Sequence, residues 1–370
     1  MRILEVCVDL DGGGIDRYLL NYCSRIRDIQ FDFAIVDNHK TGILEPEIEA
    51  LGSRIYRIPR QSAGIRANYR ALKKILTENT YDAVHVHLGY KGALALLCAK
   101  NCGVRTRIVH AHIAYEQERF PQRCVRKVFT AACKLLATQL AACGVDAAKW
   151  VWGRGAYESG KVKLHNNAID TEAFRFSPTI RAQKRQELGL EPGTLAVGHV
   201  GRLCLQKNQT RLLDIFSQML KLQPGARLFL VGRGDAEKDL KQKAARLGME
   251  DKVVFLGVRS DVNELLNAFD VFVFPSLFEG LPFTLIETQC NGLPAISADT
   301  VTPFVKVSGQ VQFLSLKDPD ALWAEQAVHA AQQGHDANGY ICVADAGYDI
   351  TAQARILENY YKDSIRAAMR

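Results

Sequence analysis

At 370 residues the chain is long for one hydrophobic core and natural for two domains of ordinary size. Apolar residues make up 48% and charged residues 24%, which excludes a disordered or low-complexity chain. The net charge of +7 is uneven: residues 1–180 carry 26 basic and 18 acidic side chains, residues 181–370 carry 21 and 22, so the first half is expected to meet an anionic partner, nucleic acid or a membrane surface.

The opening MRILEVCVDL reads as a strand rather than a signal peptide, and no run approaches eighteen apolar residues, so a cytoplasmic location is expected. Short apolar, β-branched runs follow at 31–36, 54–58, 83–87, 105–111 and 137–143, with helical spacing at 15–28, 64–78 and 90–102. Residues 168–192 are charged, interrupted by proline and without strand periodicity, which marks a join. The scheme then repeats, with strands at 195–201, 227–232, 252–257, 271–275 and 294–297 and helices near 208–222, 235–247, 261–268 and 283–291. Strands that are apolar on both faces and alternate with helices imply parallel sheets and right-handed crossovers. The expected fold class is therefore α/β, with two doubly wound domains. Ten cysteines include no C-x-x-C pair, so reduced thiols are expected rather than a zinc site or disulfide framework.

In such folds ligands bind beyond the carboxyl ends of the strands. The first strand runs into DLDGGGIDRY, with Gly13 and Gly14 before a helix, and 105–111 runs into HAHIAY, with His110 and His112. In the second half the first strand ends in GRLCLQKN, presenting Arg202 and Lys207, and KVVFLG ends in VRSDV, presenting Arg259. The run VFVFP leads into SLFEGLPFTLIE, where Glu279 and Glu287 flank a Gly280-Leu281-Pro282-Phe283 turn. Proline near a first helical turn costs no hydrogen bond, and the helix start offers backbone N–H groups to an anion. A helix beginning near Gly280 would put Glu287 some two turns in. A carboxylate accepts two hydroxyls from a vicinal diol, as a ribose or hexose offers. Cations for a diphosphate and carboxylates for sugars together describe a site for a nucleotide diphospho-sugar.

These residues carry a resemblance. FEGLPFTLIE resembles the E-x7-E element of the retaining glycosyltransferases of family 4, and GGGIDRYLLN, HVHLGY, RIVHAH, KLHNNAID, GHVGRLCLQKN, LFLVGRGD and FLGVRSDV follow the family's order along nearly the whole chain. The closest likeness is to the bacterial exopolysaccharide and capsule branch; Asn208 stands where glycine is commoner. The resemblance implies the GT-B architecture, two doubly wound domains facing each other across a cleft: an acceptor-side domain over 1–175, a nucleotide-sugar domain over 176–350, and a helix over 351–370 packing back on the first. It implies sugar transfer from a nucleotide diphospho-sugar, with a UDP-sugar the expected donor. The acceptor is a saccharide hydroxyl, lipid-linked in surface polysaccharide assembly, and the anomeric configuration is retained. By the same likeness Arg202 and Lys207 bind the diphosphate, Glu279 the donor sugar and Glu287 the ribose. Gly280, Leu281, Pro282 and Phe283 touch sugar and phosphate through their backbone, Arg259 lies near the base, and Gly13 and Gly14 close over the phosphates. A histidine of the first domain meets the sugar, His112 being preferred to His110, which spacing does not separate from it. His85 and His87 read as core or rim residues and not as metal ligands. No Asp-x-Asp motif ends a strand, so no metal or other cofactor is expected.

Other GT-B enzymes, phosphorylase- or epimerase-like, are the alternative within the fold. A dinucleotide oxidoreductase would need G-x-G-x-x-G, and both GRGDAE and GGGIDR lack its last glycine. A nucleic-acid binder would use the basic half, which lacks interleaved aromatics. That half does contain RFPQRCVRKVFTAACKLLATQL, beginning at Arg119, where Val125, Val128, Phe129 and Ala132 recur at helical spacing beside Arg123, Arg126, Lys127 and Lys134. A second basic segment carries Arg60, Arg66, Arg70, Lys73 and Lys74. Such helices either pack their apolar faces on the sheet or lie on an anionic membrane.

Overall fold

A computed structural model of the protein describes residues 1–38, 40–112 and 120–370. The chain forms two compact units, Met1–Ala168 with Ile350–Arg370, and Ile169–Asp349 between them in sequence. The border thus falls at the start of the expected join, seven residues before the expected 175/176 division. The helix Pro178–Glu187 belongs to the second unit.

The first unit holds seven parallel strands: β1 (Arg2–Val6), β2 (Gln30–Val36), β3 (Ile55–Ile58), β4 (Ala83–Val86), β5 (Thr106–Ala111), β6 (Gln139–Ala142) and β7 (Val162–Leu164), in the order β3-β2-β1-β4-β5-β6-β7. The second holds β8 (Ala196–Val200), β9 (Arg227–Val231), β10 (Val253–Gly257), β11 (Val271–Phe274), β12 (Ala295–Ala298) and β13 (Val311–Leu314), in the order β10-β9-β8-β11-β12-β13. Both sheets reverse direction beside their first strand, at β1/β4 and at β8/β11, and such reversals open the crevices where ligands bind. The central strands are buried on both faces, which is why they read as continuous apolar runs.

Two strands lie outside the expected set. β7 and β13 are sheet edges, and each has one buried residue at its start followed by half-buried or exposed ones. One neighbour suffices for an edge strand, so its sequence need not be apolar throughout. The first helix spans Gly14–Cys23 rather than 15–28: Ser24 caps it, and Ile26 and Ile29 are buried outside it on the way to β2. The last helix, Ile350–Met369, packs within the first unit against the helix Gly14–Cys23 and β5.

Candidate active site

In the second unit the loop after β8 and the loop after β11 are joined. Leu277 N–H donates to the Gln206 carbonyl at 2.8 Å, Gln206 Nε2 to the Phe278 carbonyl at 3.0 Å, and Asn208 Nδ2 to the Pro275 carbonyl at 3.1 Å. Asn208 has φ 55° and ψ 39°, the left-handed region that asparagine tolerates better than other non-glycine residues. This explains a residue other than glycine there: its side chain makes a bond that glycine lacks. Across the loop, Gly232 has φ 131°, and a Cβ on it would sit 2.1 Å from the Gly201 carbonyl oxygen. The turns after β8 and β9 approach this closely only because Gly232 has no side chain.

That joint brings Lys207 to Glu279. The ammonium lies 2.8 Å from Glu279 Oε1, with side-chain exposures of 15% and 8%, and it sits 4.7 Å above the centre of the Phe274 ring. The oxygen is close enough for an ion pair but too poorly aligned for a hydrogen bond, so charge holds the contact. The two strands at the reversal thus deliver opposite charges to one point. Arg202 is different: its side chain is 70% exposed, and its nearest acid, Asp235, is 3.7 Å away and more exposed still.

The helix after the turn begins at Phe283, within the expected 283–291 helix but three residues after the Gly280 start considered for Glu287, because Pro282 is its N-cap with extended φ/ψ of −71° and 120°. Glu287 is therefore a little over one turn into the helix, and it is half-buried. Arg259 is committed to a charged cluster: Nε and Nη2 contact Asp261 at 2.7 and 2.6 Å, and Nη2 also contacts Glu187 at 2.8 Å. Lys184 reaches the same Asp261 at 2.6 Å. Hydrogen bonding to these acids raises the Arg259 pKa, and the Arg259 bonds hold Asp261 well below the usual carboxylate range.

Sequence reading missed the support beneath Arg202 and Lys207. His199 Nδ1 donates to the Val273 carbonyl at 2.9 Å, which leaves Nε2 to accept from Gln209 Nε2 at 3.1 Å. Gln209 also donates to the Arg202 carbonyl at 2.9 Å and accepts from Cys204 N–H. Both side chains are buried, and burial pushes His199 down to about 4, so it is neutral. The signal was present as a polar pair, one on a strand and one in the first turn of the next helix.

In the first unit the glycine turn closes on itself. Asp16 Oδ2 accepts from Gly12 N–H at 3.0 Å and Gly13 N–H at 2.9 Å, and Gly12 has φ 91°. The Gly13 N–H is therefore engaged by Asp16, while Gly14 begins the helix. Burial outweighs those two bonds and pushes Asp16 up to about 7.

His110 ends in the interior of β5, fully buried, and His112 stands just past the strand, half-buried, with the two rings stacked 4.0 Å apart. His85 and His87 on and after β4 are buried beside them. One ring nitrogen from each of His85, His87 and His110 falls within a 4.8 Å group, but both nitrogens of His85 and His87 already have protein partners at hydrogen-bond distance. A metal there would have to break those bonds. In the second unit a cavity of about 330 Å³ lined by Arg181, Arg185 and Asp270 lies at the amino ends of β8 and β11, the opposite ends of those strands from Lys207 and Glu279. Its arginines bond Asp270 and the carbonyls of Asn267, Phe269, Ala268 and Thr194, a structural use.

Comparison with known proteins bears on both units. The family profile described as glycosyltransferase family 4 matches residues 12–173, and that of glycosyl transferases group 1 matches 180–314. A putative glycosyltransferase of Bacillus subtilis strain 168, EpsF, is 32% identical over 98% of this chain and 97% of its own. The chain belongs to the group 1, family 4 glycosyltransferases. A second relative of this glycosyltransferase is a UDP-Gal:alpha-D-GlcNAc-diphosphoundecaprenol alpha-1,3-galactosyltransferase of Escherichia coli. It is 30% identical over 61% of this chain and 60% of its own. Among solved structures, Anabaena HepE in complex with UDP superposes with a TM-score of 0.80 at 22% identity, covering 98% of this chain and 100% of that one. With the two parallel sheets, that likeness makes the fold GT-B.

Proposed function

We propose that this glycosyltransferase moves a sugar from a nucleotide diphospho-sugar, a UDP-sugar, to a hydroxyl of a saccharide acceptor, with retention at the anomeric carbon. The observation that carries this is the Lys207–Glu279 pair, a poorly hydrated cation and carboxylate set side by side at the β8/β11 reversal. Until a ligand arrives they neutralise each other. A diphosphate competes for Lys207, and Glu279 is then released to accept sugar hydroxyls. Arg202, exposed and weakly paired, swings to the same phosphates, and Glu287 takes the ribose diol. Gly280, Leu281, Pro282 and Phe283 offer backbone at the helix start, with Arg259 on the side of the base. From the first unit Gly13 and Gly14 serve the phosphates and His112 the sugar.

The transition state is oxocarbenium-like, and negative charge grows on the departing diphosphate. Preorganised cations and N–H groups stabilise such charge at little reorganisation cost. Lys207, Arg202 and the helix start supply that role in this reading, which requires no metal ion. The leaving phosphate accepts the acceptor's proton during front-face attack, and no protein nucleophile is assigned. Products formed from a panel of nucleotide sugars test the reaction. Glu287→Ala is expected to weaken binding of free UDP by about 1–3 kcal/mol, a lost charge-assisted bond, while Glu279→Ala spares UDP binding and damages transfer. The reverse pattern in titration calorimetry would exchange their roles.

The acceptor in this reading is lipid-linked, as the Escherichia coli relative is named for an alpha-D-GlcNAc-diphosphoundecaprenol acceptor, and the product is a surface polysaccharide. Its support is the helix Phe120–Leu136, whose opening residue in the sequence reading, Arg119, lies outside the described residues. Only Thr130 and Cys133 are buried on it; Phe120, Val125, Val128, Phe129 and Leu135 are exposed beside Arg123, Lys127 and Lys134. Arg126 instead covers Trp150. Of the expected apolar face only Ala132 packs on the core, while Val125, Val128 and Phe129 are exposed. Arg60, Arg66, Arg70, Lys73 and Lys74 are exposed too. Apolar groups flanked by cations suit an anionic bilayer surface, where each basic residue contributes about 1 kcal/mol. Among the described residues no helix is long and apolar enough to cross a membrane. Sedimentation with phosphatidylglycerol vesicles at low salt, reduced in Arg123→Glu/Lys127→Glu, is the expected result; no sedimentation of wild type would favour a soluble acceptor.

A further inference from the structure

Six polar side chains form one hydrogen-bonded path through the core of the first unit. His110 Nδ1 lies 3.3 Å from His85 Nε2, and His85 Nδ1 lies 2.6 Å from the Tyr361 hydroxyl, which donates to Glu5 Oε1 at 3.1 Å. Glu5 Oε2 is 2.7 Å from His87 Nε2, and His87 Nδ1 is 2.8 Å from His112 Nε2. Each link takes one proton, and a neutral imidazole has only one to give, so the tautomers along the path are tied together. Tyr361 gives its proton to Glu5 and must accept from His85 Nδ1–H. His85 Nε2 then accepts from His110 Nδ1–H. What decides the rest is the proton between Glu5 and His87. An ionised Glu5 would accept from His87 Nε2–H, and His87 Nδ1 would in turn accept from His112 Nε2–H. A protonated Glu5 reverses both links.

We propose that Glu5 is a neutral carboxylic acid that donates to His87, so that His87 donates to His112 and His112 carries its own proton on Nδ1. Glu5 is 1% exposed, and among the described residues no lysine or arginine pairs with it. A carboxylate there would be a buried charge with only neutral neighbours, which is costly. Burial accordingly pushes the Glu5 carboxyl up to about 8 and His87 down to about 3. Glu5, Tyr361 and His87 are then positioning residues. They fix His112 as a hydrogen-bond donor through Nδ1, the form suited to an acceptor oxygen of the donor sugar or its leaving group. This last step rests on the proposed placement of His112 at the sugar.

The test begins with wild type, so that it needs no variant to fold. Nitrogen-15 NMR of the histidine-labelled protein at pH 7 is expected to show His112 protonated on Nδ1 and His87 neutral and protonated on Nδ1. His112 protonated on Nε2, or an imidazolium at His87, overturns the proposal. Glu5→Leu is expected to release the fixed tautomer and lower kcat at least about 10-fold, on the scale of a misplaced proton donor, with donor KM changed by less than about threefold. Glu5→Gln, whose amide still donates to His87 and accepts from Tyr361, is expected to restore both tautomer and turnover; equal damage by Gln and Leu overturns the proposal. Full transfer by His112→Ala would remove His112 from the sugar site and with it the functional step, and the NMR result would remain as a separate finding.

Discussion

The two units share a topology and differ in how they manage polarity at the carboxyl ends of their strands. The first buries a carboxyl group, three histidines and a tyrosine beside β1, β4 and β5, with half-buried His112 at the end of the path, and keeps them uncharged by sharing protons. The second sets ions against ions, Lys207 on Glu279 and Arg259 and Lys184 on Asp261. Their surfaces diverge in the opposite sense. With the last helix counted where it packs, the first unit carries 29 basic and 18 acidic residues, and the second 18 and 22. One unit is thus uncharged at its histidine cluster and strongly cationic overall, and the other sets charge against charge at the ends of its strands. A parallel sheet fixes where a site lies but leaves its electrostatics to a few side chains.

Breaking the charged edge should have the largest effect. Lys207→Ala is expected to lower turnover about 100-fold, the loss of one electrostatic donor, and to destabilise the second unit by about 2–3 kcal/mol because Glu279 stays behind with its charge poorly hydrated. Adding Glu279→Gln should recover most of the stability and none of the activity. Arg202→Ala, at an exposed position, should cost about 100-fold in turnover while the melting temperature stays within about 1 °C. Thermal denaturation and initial rates on the same four proteins check the pattern. An equal stability loss in both single lysine and arginine variants would erase the distinction between an anchored and a mobile cation.

A pH series sharpens the contrast. Glu5 and Asp16 have folded pKa values of about 8 and about 7, raised above their unfolded values. Their stabilisation is full below the unfolded pKa and is lost as pH rises through the folded one. Between pH 6.5 and 8 the first unit should therefore lose about 2 kcal/mol, at about 1.4 kcal/mol per pH unit for each such group. The second unit has no such raised acid. Its His199, depressed to about 4, acts only below pH 6.5, where its stabilisation fades as the unfolded imidazole gains a proton. Hydrogen exchange resolved by unit is expected to show protection falling in the first and level in the second; Glu5→Gln should remove part of that fall. The smallest effect is expected at Asn208. Glycine relieves its left-handed backbone but loses the bond to Pro275, so Asn208→Gly should shift stability by less than about 0.5 kcal/mol, whereas Asn208→Ala should cost about 1–2 kcal/mol.

Eleven of the thirteen strands were legible, the central ones because burial on both faces leaves a continuous apolar run. β7 and β13, short edges broken by Lys163 and Gln312, were not. Arg202, Lys207, Glu279 and Glu287 were legible as charges at strand ends, but their pairing was not. Nothing in the spacing of Lys207 and Glu279 says that Gln206 and Asn208 lace the two loops together. Nor does it show that Arg259 is bound up by Glu187 from a distant helix. The apolar face of Phe120–Leu136 was legible as periodicity, which is blind to whether that face looks inward or outward. His85 and His87 read as core residues because a sequence displays side chains and not the protons they share.

The return of the last helix to the first unit sets an order for synthesis. Tyr361, the hydroxyl partner of Glu5 and His85, comes more than 350 residues after Glu5. Ile169–Asp349 is therefore made in full before the helix that completes the first unit. Chains usually fold from the amino terminus as each domain emerges. Here the earlier-made unit cannot complete its core until the later-made one has been synthesised, because Tyr361 arrives only with the last helix.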